Sequence, residues 1–124
     1  LTLLAVKLMK KNNFGRIINI SSGSGVHGGI LPSFGYALSK NSLIFMPKIL
    51  AKEFNDGDIT FNAFVLRFMQ TRMFEKFKKY YKKYYKKKFV TQLKIHEPAS
   101  LAKIIVKFLA RTENQRISGR AISI

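Results

Sequence analysis

An α/β fold built on a parallel sheet is what this 124-residue sequence predicts, and three observations lead there. Three short apolar runs, RIINISS (Arg16–Ser22), ITFNAFVL (Ile59–Leu66) and SGRAISI (Ser118–Ile124), read as buried strands. Longer segments with helical apolar spacing stand between them, the alternation that lays helices over a parallel sheet. The length allows one domain, and a 47% apolar content supplies it with a core.

The elements follow in order. Leu1 to Lys11 carries apolar residues round most of its circumference, as a well-covered helix does. Gly15, just beyond Asn12-Asn13, reads as helix stop and turn. After the first strand comes a glycine-rich loop, Gly23 to Gly29. Ser33 to Phe54 is a long helix with Leu43, Ile44, Met46, Ile49, Leu50 and Phe54 as its apolar positions. Pro47 inside it removes one backbone bond and should kink it. Asn55-Asp56-Gly57-Asp58 is a turn into the second strand. A Lys/Tyr helix follows, then a helix opening at Glu97-Pro98, with proline at its first position. The third strand ends the sequence, and neither internal repeat nor linker interrupts it.

Composition removes several classes of function. With no cysteine there is no disulfide framework, thiolate zinc site or cysteine nucleophile. Two histidines and six scattered carboxylates offer little to a metal. No apolar run reaches the roughly 18–20 residues of a membrane span, and LTLLAVKLMKK places its charges after its apolar stretch, the reverse of a signal peptide. The expectation is a soluble protein of a reduced compartment, the cytoplasm.

The net charge of +17 is the abnormal number. Lys76 to Lys88 reads KFKKYYKKYYKKK, with eight lysines and no acid; the remaining 15 basic and 6 acidic residues still leave +9. Phe77, Tyr80, Tyr81, Tyr84 and Tyr85 recur at three- and four-residue spacing with lysines between, an aromatic stripe and a cationic face on one helix. Such a surface suits polyanions, nucleic acid or an acidic membrane. The plainer reading, a solvated helix whose tyrosines pack on the body, is the commoner outcome for a charge run.

Gly23-Ser24-Gly25-Val26-His27-Gly28 fits G-x-G-x-x-G directly after a strand. No helix is expected to open at the third glycine, and no acid stands about 20 residues on to hold a ribose, the first being Glu53. These glycines are instead expected to let the loop turn tightly or approach a ligand. His27 and His96 lack a second ligand at useful spacing and read as surface or loop histidines.

Tyr36 and Lys40 carry the chemistry. Four apart on one helix, they share a face. An ammonium beside a phenol favours the phenolate, and a phenol so tuned can exchange a proton with an alcohol or carbonyl oxygen. Ser22, at the C-terminal end of the first strand, could hold that oxygen; ligands of open α/β sheets sit off the carboxyl ends of strands.

GRIINISS, then 13 residues, then Tyr36-Ala37-Leu38-Ser39-Lys40, then LAKEF and ITFNAF, resembles the C-terminal half of a short-chain dehydrogenase/reductase. Leu1–Lys11, HEPASLAKIIVKFLA and SGRAISI are similar to further elements of that family, so the likeness covers nearly the whole chain. It implies the C-terminal half of a Rossmann-like doubly wound parallel sheet, three strands with flanking helices, and hydride transfer with NAD or NADP on a small alcohol or carbonyl substrate. By that resemblance Tyr36 is the general acid/base, Lys40 binds the nicotinamide ribose, and Ser22 orients the substrate oxygen. Phe68 and Thr71 of Phe68-Met69-Gln70-Thr71 fall where the family binds the nicotinamide. One partial domain, 1–124, would divide into a catalytic segment (1–72), a lid-like basic aromatic helix (73–92) and a final helix and strand (93–124). Pairing into a homo-oligomer through Leu1–Lys11 and Ser33–Phe54 is also implied.

The departures from the family are specific. Its phosphate loop, ribose-binding strand and active-site asparagine belong upstream of Leu1, which would leave Arg16–Ser22 without its inner neighbour. Leu66-Arg67 stands where Pro-Gly is usual, and Pro47 sits in the pairing helix. Two functions are therefore expected. One is a truncated oxidoreductase; the other is a non-catalytic remnant that binds polyanions through Lys76–Lys88.

Overall fold

The computed structural model describes residues 1–29, 33–55, 57–84, 94–111 and 116–124. Its elements run α1 (Thr2–Lys11), β1 (Phe14–Ser22), α2 (Gly23–His27), α3 (Phe34–Glu53), β2 (Asp58–Leu66), α4 (Arg72–Tyr84), α5 (Pro98–Ala110) and β3 (Arg120–Ser123). The strands form one sheet of order β1-β2-β3, parallel throughout, with Ser22 beside Leu66 and Ala63 beside Ala121.

β2 is the central strand, buried from Ile59 to Leu66, which is why ITFNAFVL is apolar almost without alternation. Successive side chains feed opposite faces of the sheet. Ile59 and Phe61 meet Val6 and Leu50 on the α1/α3 side, with Met9, Ile17, Met46 and Phe54 around them. Phe64 and Leu66 meet Leu101 on the α5 side, where the Phe108 ring stands edge-on to Phe64 at 5.3 Å between centroids. Helices on both faces of a parallel sheet make this the half of a doubly wound α/β sheet that the sequence predicts.

Several local expectations are corrected. β1 starts at Phe14, where pairing with Asp58 begins, not at Arg16, and Gly15 lies inside it, with Met9 of α1 over the site where a side chain would stand. The turn is made by Asn12 and Asn13, the latter at φ 49°. Residues 23–27 of the expected loop are a five-residue helix, capped by the Ser22 hydroxyl, which accepts from Ser24 N–H at 3.3 Å, and closed by left-handed Gly28. Pro47 does lie inside the helix, α3 running from Phe34 to Glu53, and it is buried there. α1 is not well covered: only Val6 is buried, while Leu3, Leu4 and Leu8 are each about 60% exposed. His96 does lie in a loop, half-buried just before α5. Its N–H donates to Phe68 O and its carbonyl accepts from Gln70 N–H, pairing the segment before α5 with the one after β2.

A buried asparagine fastens β3. Asn62 Nδ2 donates to Ile117 O at 2.7 Å and its Oδ1 accepts from Arg120 N–H at 3.1 Å. Asn62→Leu, similar in volume, removes both bonds and strands the two backbone groups. Unsatisfied buried groups cost about 1–3 kcal/mol each, so the variant should unfold at clearly lower urea and expose the amides of 120–123 to rapid hydrogen exchange. Wild-type protection of those amides would contradict this role.

Candidate active site

The carboxyl end of the sheet gathers the sequence-predicted residues. Ser22 closes β1, Leu66 lies beside it on β2, and Arg67 follows with its side chain exposed. Four side-chain bonds lash this end of β1 and the short α2 to α3. Asn19 Nδ2 donates to Leu43 O at 3.1 Å, Ser21 Oγ to Lys40 O at 2.7 Å, and Asn41 Nδ2 to Gly25 O at 2.9 Å. The fourth comes from Lys40 itself, whose Nζ donates to Ile20 O at 2.9 Å.

That last bond pins the ammonium beside the strand end and uses one of its three protons. The same Nζ lies 5.7 Å from the centroid of the Tyr36 ring, one helical turn earlier, and Tyr36 is 37% exposed. Lys40 therefore links the strand that ends at Ser22 to the face that carries Tyr36. Because Ser22 Oγ accepts from Ser24 N–H, its own proton remains to be donated to a bound oxygen.

Phe68 and Thr71 are placed otherwise than as free contacts. The Phe68 ring packs with Phe74 and Phe77 of α4 at 5.6 and 5.9 Å. The Thr71 hydroxyl accepts from Phe74 N–H at 3.2 Å and so caps α4. Glu75 in the first turn of α4 is paired with Lys78 at 2.7 Å. That bond, with a second from Gln70 and the Lys78 and Lys79 charges, holds the Glu75 carboxyl below its ordinary value of 4.5 against the opposing effect of desolvation.

The three residues that sequence reasoning missed are Asn19, Ser21 and Asn41. Asn19 had a legible signal, since a polar side chain in a buried strand must find a partner. Gly25 belongs to the glycine motif, but what it approaches is protein: a Cβ there would stand 2.6 Å from the Lys40 carbonyl carbon and 2.8 Å from Asn41 N. A hollow of about 300 Å³ between α2 and α3 is lined by Ser24, Gly25, Val26, Phe34, Ala37 and Asn41.

Known proteins share this chain's sequence pattern and fold. A family model described as enoyl-(acyl carrier protein) reductase matches residues 1–124. Among curated proteins, a 3-oxoacyl-[acyl-carrier-protein] reductase of Thermotoga maritima is 32% identical over 123 residues, 99% of this chain and 49% of its own. A protein of that description from Rickettsia bellii is 33% identical over 120 residues, covering 97% and 48%. The chain thus spans about half the length of the curated relatives it matches. Among solved structures, a variant of actinorhodin polyketide ketoreductase with NADPH superposes at TM-score 0.78 with 21% identity, covering 94% of this chain and 48% of that one. A 3-oxoacyl-[acyl-carrier protein] reductase from Brucella melitensis with bound NAD superposes at 0.73 with 23% identity, over 96% and 42%.

Proposed function

The chain belongs to the short-chain dehydrogenase/reductase family, and on that premise we propose that it is the catalytic half of an NAD(P)-dependent oxidoreductase acting between a small alcohol and its carbonyl. The observation that carries the reading is Lys40: its ammonium is bonded to Ile20 O at the end of β1 and lies against the Tyr36 ring.

The residues fit a nicotinamide cofactor and a substrate oxygen. Lys40 keeps two protons for the hydroxyls of a ribose, and Tyr36 stands beside them on an open surface. A bound nicotinamide supplies or accepts the hydride at the substrate carbon. Tyr36 gives its phenolic proton to the oxygen during reduction and takes it back during oxidation. Ser22 donates to the same oxygen and orients it. Phe68 and Thr71 border the site from the segment after β2, with the Thr71 hydroxyl shared between that role and the cap of α4. The reading carries a cytoplasmic location with it. Exposed Leu3, Leu4 and Leu8 of α1 and Leu38, Phe45 and Ile49 of α3 support a homo-oligomer joined through those helices.

Titration of NADH and NADPH into the 124-residue chain, followed by nicotinamide fluorescence, tests this. Saturable binding is expected, and Lys40→Ala should weaken it roughly 10- to 100-fold, the worth of hydrogen bonds to a charged donor. Absence of binding by a chain shown to be folded would overturn the claim that this half holds the cofactor.

A second reading rests on α4. Its exposed lysines support binding of polyanions through Lys76–Lys88, of which Tyr85 and Lys86–Lys88 lie outside the described residues.

A further inference from the structure

α4 divides into two faces with opposite fates. Phe74 is buried, and the Phe77 ring meets those of Phe68, Phe74 and Tyr81, so the first turns of the aromatic stripe are engaged with Phe68 after β2. At 100° per residue, Arg72, Lys76, Lys79 and Lys83 fall within about 60° of one another, on the opposite side of the helix. They form a row about 16 Å long with steps of roughly 4.5–6 Å. Lys82 lies on its shoulder. Arg72, Lys76, Lys79 and Lys82 are exposed, and none of them is paired with a carboxylate among the described residues. The one acid of α4, Glu75, is taken by Lys78 and Gln70.

Resting on the polyanion reading above, we infer that the outward face of α4 is a docking surface for the phosphate backbone of double-stranded nucleic acid, held without regard to sequence. Three features select this occupant. A helix lying in an acidic bilayer buries its apolar face there, whereas on α4 Phe74 is buried and the Phe77 ring is stacked on Phe68. A carboxylate-bearing protein surface is matched best by the planar fork of arginine, whereas five of the six cations on α4 are lysines, point charges that tolerate any phosphate geometry. A straight cationic row with no interleaved free acid complements a strand of evenly spaced phosphates, each neutralised phosphate releasing its condensed counterions.

Fluorescence anisotropy with a labelled 20-base-pair duplex tests the inference, since three or four neutralised phosphates predict a roughly 40- to 150-fold loss of affinity between 50 and 200 mM salt. Lys76→Gln/Lys79→Gln should lower the slope of log K against log salt by about two and weaken binding more than tenfold at 50 mM. Lys76→Arg/Lys79→Arg should restore it. Lys7→Gln/Lys11→Gln on α1 removes the same charge elsewhere and should leave the slope unchanged. Equal effects of the α1 and α4 variants would overturn a localised surface. Polyglutamate or phosphatidylserine vesicles bound as tightly as the duplex would keep the polyanion reading and overturn nucleic acid as its occupant. No binding of any of the three at 50 mM salt would overturn both.

Discussion

Phe61→Ala is expected to destabilise the protein by about 3–5 kcal/mol, the usual cost of emptying a buried phenylalanine site. Phe61 is fully buried on the central strand and is the meeting point of α1, α3 and the sheet: Val6, Leu50 and Ile59 pack with it, and its ring lies 6.1 Å from that of Phe54. Its backbone also carries the approach to β3, the N–H donating to Ser118 Oγ at 3.1 Å and the carbonyl accepting from Gly119 N–H at 2.7 Å. Against a total stability of about 5–15 kcal/mol for an ordinary domain, the loss leaves little, and the variant should be largely unfolded at room temperature or in low urea. Phe61→Leu, which keeps most of the volume, should be much milder. The urea midpoint by circular dichroism measures both, and a loss below 1 kcal/mol for the alanine variant would show that this cluster is not the keystone of the fold.

Gly25→Ala is expected to disrupt the active site more than its size implies. The added methyl would stand 2.6–2.9 Å from three backbone atoms of Lys40 and Asn41. Helix backbone cannot step aside as a flexible side chain can, so α2 must lift off α3, breaking the Asn41–Gly25 bond. Overpacking of this kind costs about 1–3 kcal/mol, and here it falls on the joint between Ser22 and Lys40. NADH binding should fall with stability, and the amides of 24–28 should exchange faster. Gly23→Ala is the control: open space surrounds that position, and the change should stay within about 0.5 kcal/mol. Equal effects at the two glycines would remove the argument from close approach.

The site depends on this joint because its parts come from different elements. Ser22 belongs to the end of a strand, Tyr36 and Lys40 to a helix 14 or more residues later, and no local propensity brings them together. Asn19, Ser21 and Asn41 do so by crossing from one element to the other. Each satisfies a polar group that burial would otherwise leave costly.

Much of the architecture was legible in the chain's own pattern. Apolar runs of strand length alternating with helical periods announce a parallel sheet, and Pro98 and the Tyr36/Lys40 spacing locate their helices, because each of these signals is local. The short α2 was not legible, since five glycine-rich residues have no helical preference; the Ser22 cap, Gly28 and the seat of Gly25 on α3 impose it. Nor was the start of β1, which is set by the pairing of Phe14 with Asp58, 44 residues away in the chain. The aromatic–cationic periodicity of α4 was plain, but only packing against Phe68 tells which face is turned inward. The leucines of α1 show the same divide: periodicity reveals that a face wants cover, while what covers it is a matter of three-dimensional contact. Spacing along a chain reports what each segment prefers by itself, and close approach between distant segments decides which of those preferences become a site.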